Sequence, residues 1–252
     1  MPSPHDTPLD PPRTVADRYA AVRARIDAAA LAAGRAPTDV QLLVATKTQD
    51  AAAVREVVAA GATLIGENRV QELVAKAPDL ADLVADGSVR VHMIGHLQRN
   101  KVNQVLVTAT GVESVDSLAL ADALASRCVR EGRTLDVMVQ VNVSGEESKA
   151  GVGPDDAAHL ARQVAALEGL RLVGFMTIGA NSPDTALVRA GFARLREIRD
   201  DVLASGAPGT SEARELSMGM SGDLEAAIAE GATIVRVGTA VFGARPAAAP
   251  AG

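Results

Sequence analysis

Short runs of consecutive apolar residues alternate along almost the whole chain with longer amphipathic segments, and this alternation restricts the fold more than any other property of the sequence. The runs are Leu42 to Lys47, Thr63 to Glu67, Val89 to Gly95, Gly111 to Val115, Leu135 to Val143, Leu170 to Ile178, Glu215 to Met220 and Thr233 to Gly238. Each is continuously apolar rather than alternating, the pattern of parallel strands covered on both faces. Between them, segments such as Ala51 to Ala60, Leu118 to Arg130, Asp155 to Ala166 and Thr185 to Leu203 read as amphipathic helices. Two junctions resemble each other, Gly61-Ala62-Thr63-Leu64-Ile65-Gly66 and Gly231-Ala232-Thr233-Ile234-Val235-Arg236. Each is a helix-ending Gly followed by a strand. About eight strand and helix units in 252 residues fit one closed (β/α)8 TIM barrel, whose usual size is about 250 residues. A doubly wound open sheet would usually place a Gly-rich loop after its first strand, and none follows Lys47.

From Thr14 to Gly34 the apolar residues Val15, Val22, Ile26, Ala29 and Ala30 fall near helical spacing, which predicts an extra helix ahead of the first strand. Residues 1–13 carry five prolines and residues 246–252 are Pro- and Ala-rich, so both ends read as flexible tails flanking a barrel over 14–245. A formal net charge of -6 argues against a general nucleic-acid surface, and the few aromatic residues leave little for base stacking. Cys128 is the only cysteine, so neither an intrachain disulfide nor a Cys-rich metal site can form. His5, His92, His96 and His159 lack the convergent spacing zinc needs, and no metal site is expected. The start lacks the basic flank and apolar stretch of a secretory signal, and no apolar segment is long enough to span a bilayer. A cytoplasmic protein is therefore expected.

In such a barrel the functional groups collect at the C-terminal ends of the strands. The first strand presents Lys47 there, the second Glu67, Asn68 and Arg69, the third Gly95 and His96, the fifth Asn142, and the sixth Met176 and Thr177. His96 is a candidate to line the pocket, and Glu146 and Glu147 are candidate acid-base groups, although such a charged loop is usually solvated. Ser221 follows the seventh strand and reads as the start of the helix bearing Leu224, Ala227 and Ile228, while Gly238 and Thr239 follow the eighth. These are the two loops where barrels commonly bind phosphate, and Gly219, Gly222 and Gly238 would let backbone N–H groups approach an anion. Arg236 sits in the apolar run Ile234-Val235-Arg236-Val237-Gly238, where a charge is expensive unless paired or used. It is read either as an ion-paired structural arginine or as a donor to the ring nitrogen of a pyridine cofactor. An amine at a strand end, facing a phosphate site, suggests a Schiff base with a phosphorylated aldehyde. Inside a barrel mouth, burial and neighbouring cations would lower the lysine pKa toward the free amine that attack requires. Pyridoxal 5'-phosphate (PLP) leads that class, with a sugar-phosphate aldolase as the alternative.

The chain resembles the pyridoxal phosphate homeostasis protein family, whose fold is similar to the N-terminal barrel domain of alanine racemase. The resemblance covers nearly all of 14–245. It rests on Leu43 to Lys47, Ile65 to Glu72, His92 to Lys101, Val141 to Val143, Gly174 to Thr177, Leu216 to Ser221 and Val235 to Arg245. It implies that Lys47 is the Schiff-base lysine and Arg236 the partner of the pyridine nitrogen. By the same matching Ser221, Gly238 and Thr239 hold the phosphate and Asn68 lies beside the cofactor. It also implies a protein that holds PLP and regulates its supply, by buffering or delivery, without an established catalytic reaction.

Two function classes are weighed on that basis. A cofactor carrier would hand PLP to apo forms of PLP-dependent enzymes, acting as a monomer or weak homodimer. A PLP-dependent amino-acid racemase needs a second acid-base group opposite the lysine, commonly a tyrosine, and the only tyrosine is Tyr19 in the N-terminal helix. The sequence ends just after the eighth strand, before any domain that would close a racemase site. Binding therefore ranks above turnover.

Overall fold

The computed structural model describes residues 14–146 and 148–243. The Pro-rich start, Glu147, the last two residues of the expected barrel and the 246–252 tail lie outside the described residues. Helix α1 (Val15–Ala32) comes first, capped by Thr14, whose hydroxyl accepts from the Asp17 amide while the Asp17 carboxylate accepts from the Thr14 amide. Eight parallel strands follow: β1 (Gln41–Ala45), β2 (Leu64–Glu67), β3 (Arg90–Met93), β4 (Gly111–Val115), β5 (Leu135–Gln140), β6 (Leu170–Met176), β7 (Glu215–Ser217) and β8 (Ile234–Val237). They close into one barrel in chain order, β8 pairing back onto β1 from Gln41↔Ile234 to Val44↔Val237.

Between successive strands lie α2 (Ala51–Ala59), α3 (Val70–Ala85), the short α4 (Val102–Val105), α5 (Leu118–Glu131), α6 (Pro154–Ala165), α7 (Thr185–Ala204) and α8 (Leu224–Ala229); α9 (Thr239–Phe242) follows β8. The two repeated junctions behave as their sequences predict. Gly61 and Gly231 end α2 and α8 at φ +107° and +101°, a left-handed turn that a side chain would strain.

Most strands are shorter than their apolar runs. β3 stops at Met93 rather than Gly95, and β7 at Ser217 rather than Met220. The residues beyond stay apolar, and Ile94 and Met218 stay buried while their amides still donate to the Glu67 and Ile234 carbonyls of the neighbouring strands, each at 3.0 Å.

Alternate residues along each strand separate two apolar regions. Outward residues such as Val44, Ile65, Val91, Val137, Phe175 and Val235 pack under the helices in the large core. Inward residues Leu43, Leu64, Ile94, Met138, Met176 and Ile234 fill the barrel centre, with Ala45 against them. That parity decides which later side chains face the barrel axis.

Candidate functional site

Continuing the inward parity upward from Leu43 and Ala45 brings Lys47 to the barrel mouth; from Leu64 and Gly66 it brings Asn68, and from Ile234 it brings Arg236 and Gly238. The structure agrees. One cavity of about 500 Å³ opens there, and Lys47, Asn68, Ser221, Arg236, Gly238 and Thr239 all line it. The volume lies within the usual range of small-molecule sites. Gly238 packs tightly, since a Cβ there would stand 2.8 Å from the Ala45 carbonyl oxygen.

Lys47 is exposed rather than buried and makes no side-chain hydrogen bond or ion pair among the described residues. Its residue is fixed from behind. Lys76 of α3 is buried and donates to both the Thr46 carbonyl and Glu67 Oε1, each at 2.7 Å, while the Thr46 hydroxyl donates to the same Glu67 oxygen. The end of β1 is thereby tied to β2 and α3 one residue before the amine.

The opposite wall is backbone. Ser221 does not cap α8 as expected: Asp223 occupies the N-cap, and Ser221 sits in the turn between Met220 and Asp223. The Asp223 carboxylate accepts the Met220 amide and so shapes this turn. The amides of Ser221, Gly222, Thr239 and Ala240 donate to no acceptor among the described residues. Two arginines of α1 grip this wall from outside. Arg25 donates to the Ser221 carbonyl at 2.9 Å and pairs with Glu225, and Arg18 donates to the Val241 carbonyl at 2.7 Å.

Arg236 forms the floor. Nη1 donates to Ser217 Oγ at 2.8 Å and Nη2 to the Thr177 carbonyl at 2.6 Å. Of five guanidinium N–H groups, that leaves three without a protein acceptor among the described residues. Burial pulls the guanidinium down from its ordinary value, with the carboxylates of Glu113 and Asp223 opposing. Behind Ser217 stands Glu113 in β4, with His92 of β3 on its other side. Burial alone would push the Glu113 carboxyl up, but contacts with His92, the charge of Arg236 and the Ser217 hydroxyl outweigh it and hold the group below the usual carboxylate range.

Glu113, His92 and Lys76 were not anticipated as part of the site, and Glu67, expected at the top of the second strand, does not line the cavity but pairs with Lys76. A signal existed for Glu113, which interrupts the apolar Gly111 to Val115 run as Arg236 interrupts its own. His96 does not line the cavity; it is exposed and its ring lies 3.3 Å from Asp116. Asn142 faces away from ligand chemistry, its amide donating to the Glu146 and Lys149 carbonyls. Glu146 pairs with Lys149 at 2.6 Å. Tyr19 lies outside the barrel, its hydroxyl donating to the Gly61 carbonyl.

The donor set fits a phosphorylated aldehyde: an uncommitted amine, a group of uncommitted amides and a guanidinium with spare donors share one cavity. Among the described residues there is no group of three or more His, Cys, Asp or Glu able to hold a metal, and no helix long and apolar enough to cross a membrane.

The family model for the alanine racemase N-terminal domain matches residues 19–246. A pyridoxal phosphate homeostasis protein from Pseudomonas aeruginosa is 47% identical over 238 residues, which is 94% of this chain and 99% of that one. Among solved structures, an unknown protein from Bifidobacterium adolescentis is 47% identical with a TM-score of 0.87, covering 90% of this chain and 94% of that chain. PipY from Synechococcus elongatus, with PLP bound, is 36% identical with a TM-score of 0.79, covering 91% of this chain and 100% of that chain.

Proposed function

We propose, starting from the fact that this chain belongs to the pyridoxal phosphate homeostasis protein family, that it holds PLP as a Schiff base on Lys47 and serves PLP homeostasis by buffering or delivery. The observation that carries this reading is the convergence of Lys47, the uncommitted amides of Ser221 and Thr239, and Arg236 on one cavity. In it, Ser221, Gly238 and Thr239 receive the phosphate, Asn68 lies beside the ring and Arg236 donates to the pyridine nitrogen. When bound, PLP supplies an aldehyde for imine formation and a ring that can accept electrons. A guanidinium stays protonated, so Arg236 leaves the ring nitrogen without a proton and weakens that electron sink.

Holding is favoured over turnover by the composition of the cavity wall. Lys47 and Arg236 are its only ionisable side chains among the described residues, so no second group stands ready to deliver a proton to the opposite face of a substrate. The exposed position of Lys47 suits a cofactor that must also leave, and apo forms of PLP-dependent enzymes are the recipients in this reading.

The test is spectroscopic. Purified protein with PLP should develop imine absorbance that Lys47→Ala abolishes; full absorbance in that variant would overturn the assignment. Mixing loaded protein with an apo-enzyme in the presence of a trap for free PLP separates delivery from release, since direct handover survives the trap. Sustained exchange of the Cα proton of an L-amino acid for deuterium, with turnover, would instead make the protein a racemase-like enzyme.

A further inference from the structure

Four buried polar side chains, each from a different strand, are joined end to end inside the barrel, and the reading above uses only the last of them. His92 Nδ1 donates to Glu113 Oε1 at 2.8 Å, Ser217 Oγ donates to Glu113 Oε2 at 2.6 Å, and Arg236 Nη1 donates to Ser217 Oγ at 2.8 Å. A hydroxyl has one proton. Ser217 gives it to the carboxylate and therefore turns its lone pairs toward Arg236, so the direction of every bond is fixed by the ionised Glu113. Both carboxylate oxygens are taken, and Glu113 is fully buried. An ionised carboxylate in the centre of a barrel is costly unless its charge is matched. Here the compensating partners are His92 and Arg236, and Arg236 is the one that forms the cavity floor. Glu113 itself does not line the cavity.

We propose that Glu113 is a positioning residue: through Ser217 it holds Arg236 oriented at the cavity floor, and its own negative charge sets the proton affinity of an imine formed on Lys47. This rests on the PLP reading. The charged groups that bear on Arg236 are Glu113 from β4, Asp223 from the turn before α8, and Lys47, which shares the cavity; His92 from β3 lies behind Glu113. Ser217 of β7 and the Thr177 carbonyl after β6 contribute dipoles only. The sign follows from the charge count. A protonated imine is a cation, and Glu113→Gln removes one negative charge from beneath it while Arg236 remains. The local potential becomes more positive, and the pH at which the imine loses its proton falls by about one unit for a single charge acting across a partly buried site.

The experiment loads wild-type protein, Glu113→Gln, Glu113→Asp and Ser217→Ala with PLP, then follows imine absorbance against pH, PLP affinity and thermal melting. Glu113→Gln should lower the pH midpoint by about one unit, and Glu113→Asp, which restores the charge, should return it toward wild type. Ser217→Ala keeps both charges but cuts the bond that orients the guanidinium, so PLP should bind about tenfold more weakly with a smaller change in midpoint. A purely structural role would change melting alone. An unchanged midpoint in a Glu113→Gln variant that still binds PLP overturns the proposal, as does a Glu113→Asp midpoint equal to that of Glu113→Gln. If Glu113→Gln does not fold, Ser217→Ala decides: unchanged affinity and unchanged midpoint overturn it. Absence of any imine band in the wild-type protein would instead sink the PLP reading, so the two failures are distinct.

Discussion

Replacing Lys76 by Met should damage the protein more than its place on an outer helix suggests. The ammonium is buried, with side-chain exposures of 8% for Lys76 and 2% for Glu67, and it supplies two bonds of 2.7 Å to Glu67 and the Thr46 carbonyl. Met fills similar volume with a flexible apolar chain, so the change removes charge with little cavity. What remains is a buried carboxylate held only by the Thr46 hydroxyl, because Glu67 Oε2 already has no partner. Breaking a buried pair from one side costs about 3–5 kcal/mol. For a domain of this size that corresponds to a melting temperature lower by roughly 10 °C. Equilibrium urea unfolding with a double-mutant cycle measures it: Glu67→Gln placed on Lys76→Met should recover much of the loss, with a coupling of about 2 kcal/mol. A single-mutant cost under about 1 kcal/mol, or a double mutant no better than the single, would refute the view that charge matching holds the end of β1. Thr46 precedes Lys47, so PLP affinity should fall in the single variant and return in the double.

Two further outcomes follow from contacts around the site. Arg25→Ala removes the donor on the Ser221 carbonyl and the Glu225 pair, and should weaken PLP severalfold in an absorbance titration while leaving pyridoxal, which lacks the phosphate, unaffected. Equal weakening of both would mean that α1 supports the fold rather than the phosphate wall. Burial opposes ionisation of Glu230, but bonds from Arg189 and Arg196 outweigh it and depress the folded value. The stability Glu230 contributes is therefore full above the unfolded carboxyl value of about 4.3 and is lost as pH falls through the lower folded value. Glu230→Gln should destabilise at pH 7 and converge with wild type in acid; a difference independent of pH would contradict the ion-pair account.

The architecture was legible because a strand covered on both faces admits almost no polar residue, which makes each run and its boundaries visible. Strand ends were not, since Ile94 and Met218 remain buried and still donate to the neighbouring strand beyond the last strand residue. The inward direction of Lys47 can be counted from Leu43 and Ala45 once the strand is known. Ser221 misled because α8 starts later than its sequence suggests: residues 220–223 form a turn closed by the Asp223 carboxylate on the Met220 amide, and the helix begins only at Leu224. The buried network was hidden for a different reason: Glu113 and Ser217 are far apart in sequence, and nothing local says that they meet. Yet the cost of a carboxylate in an apolar run, the argument applied to Arg236, applies equally to Glu113.

Closure of the barrel also bears on the order in which the chain can assemble. β1 is complete early in synthesis, but its second neighbour is β8, at the other end of the described chain. Until β8 emerges, β1 has one edge unpaired and the cavity has no floor, because Arg236 belongs to that last strand. Such long-range pairing is slow relative to local contacts, and an open parallel edge invites misassociation. A chain interrupted before β8 would thus present Lys47 without the arginine that shares its cavity.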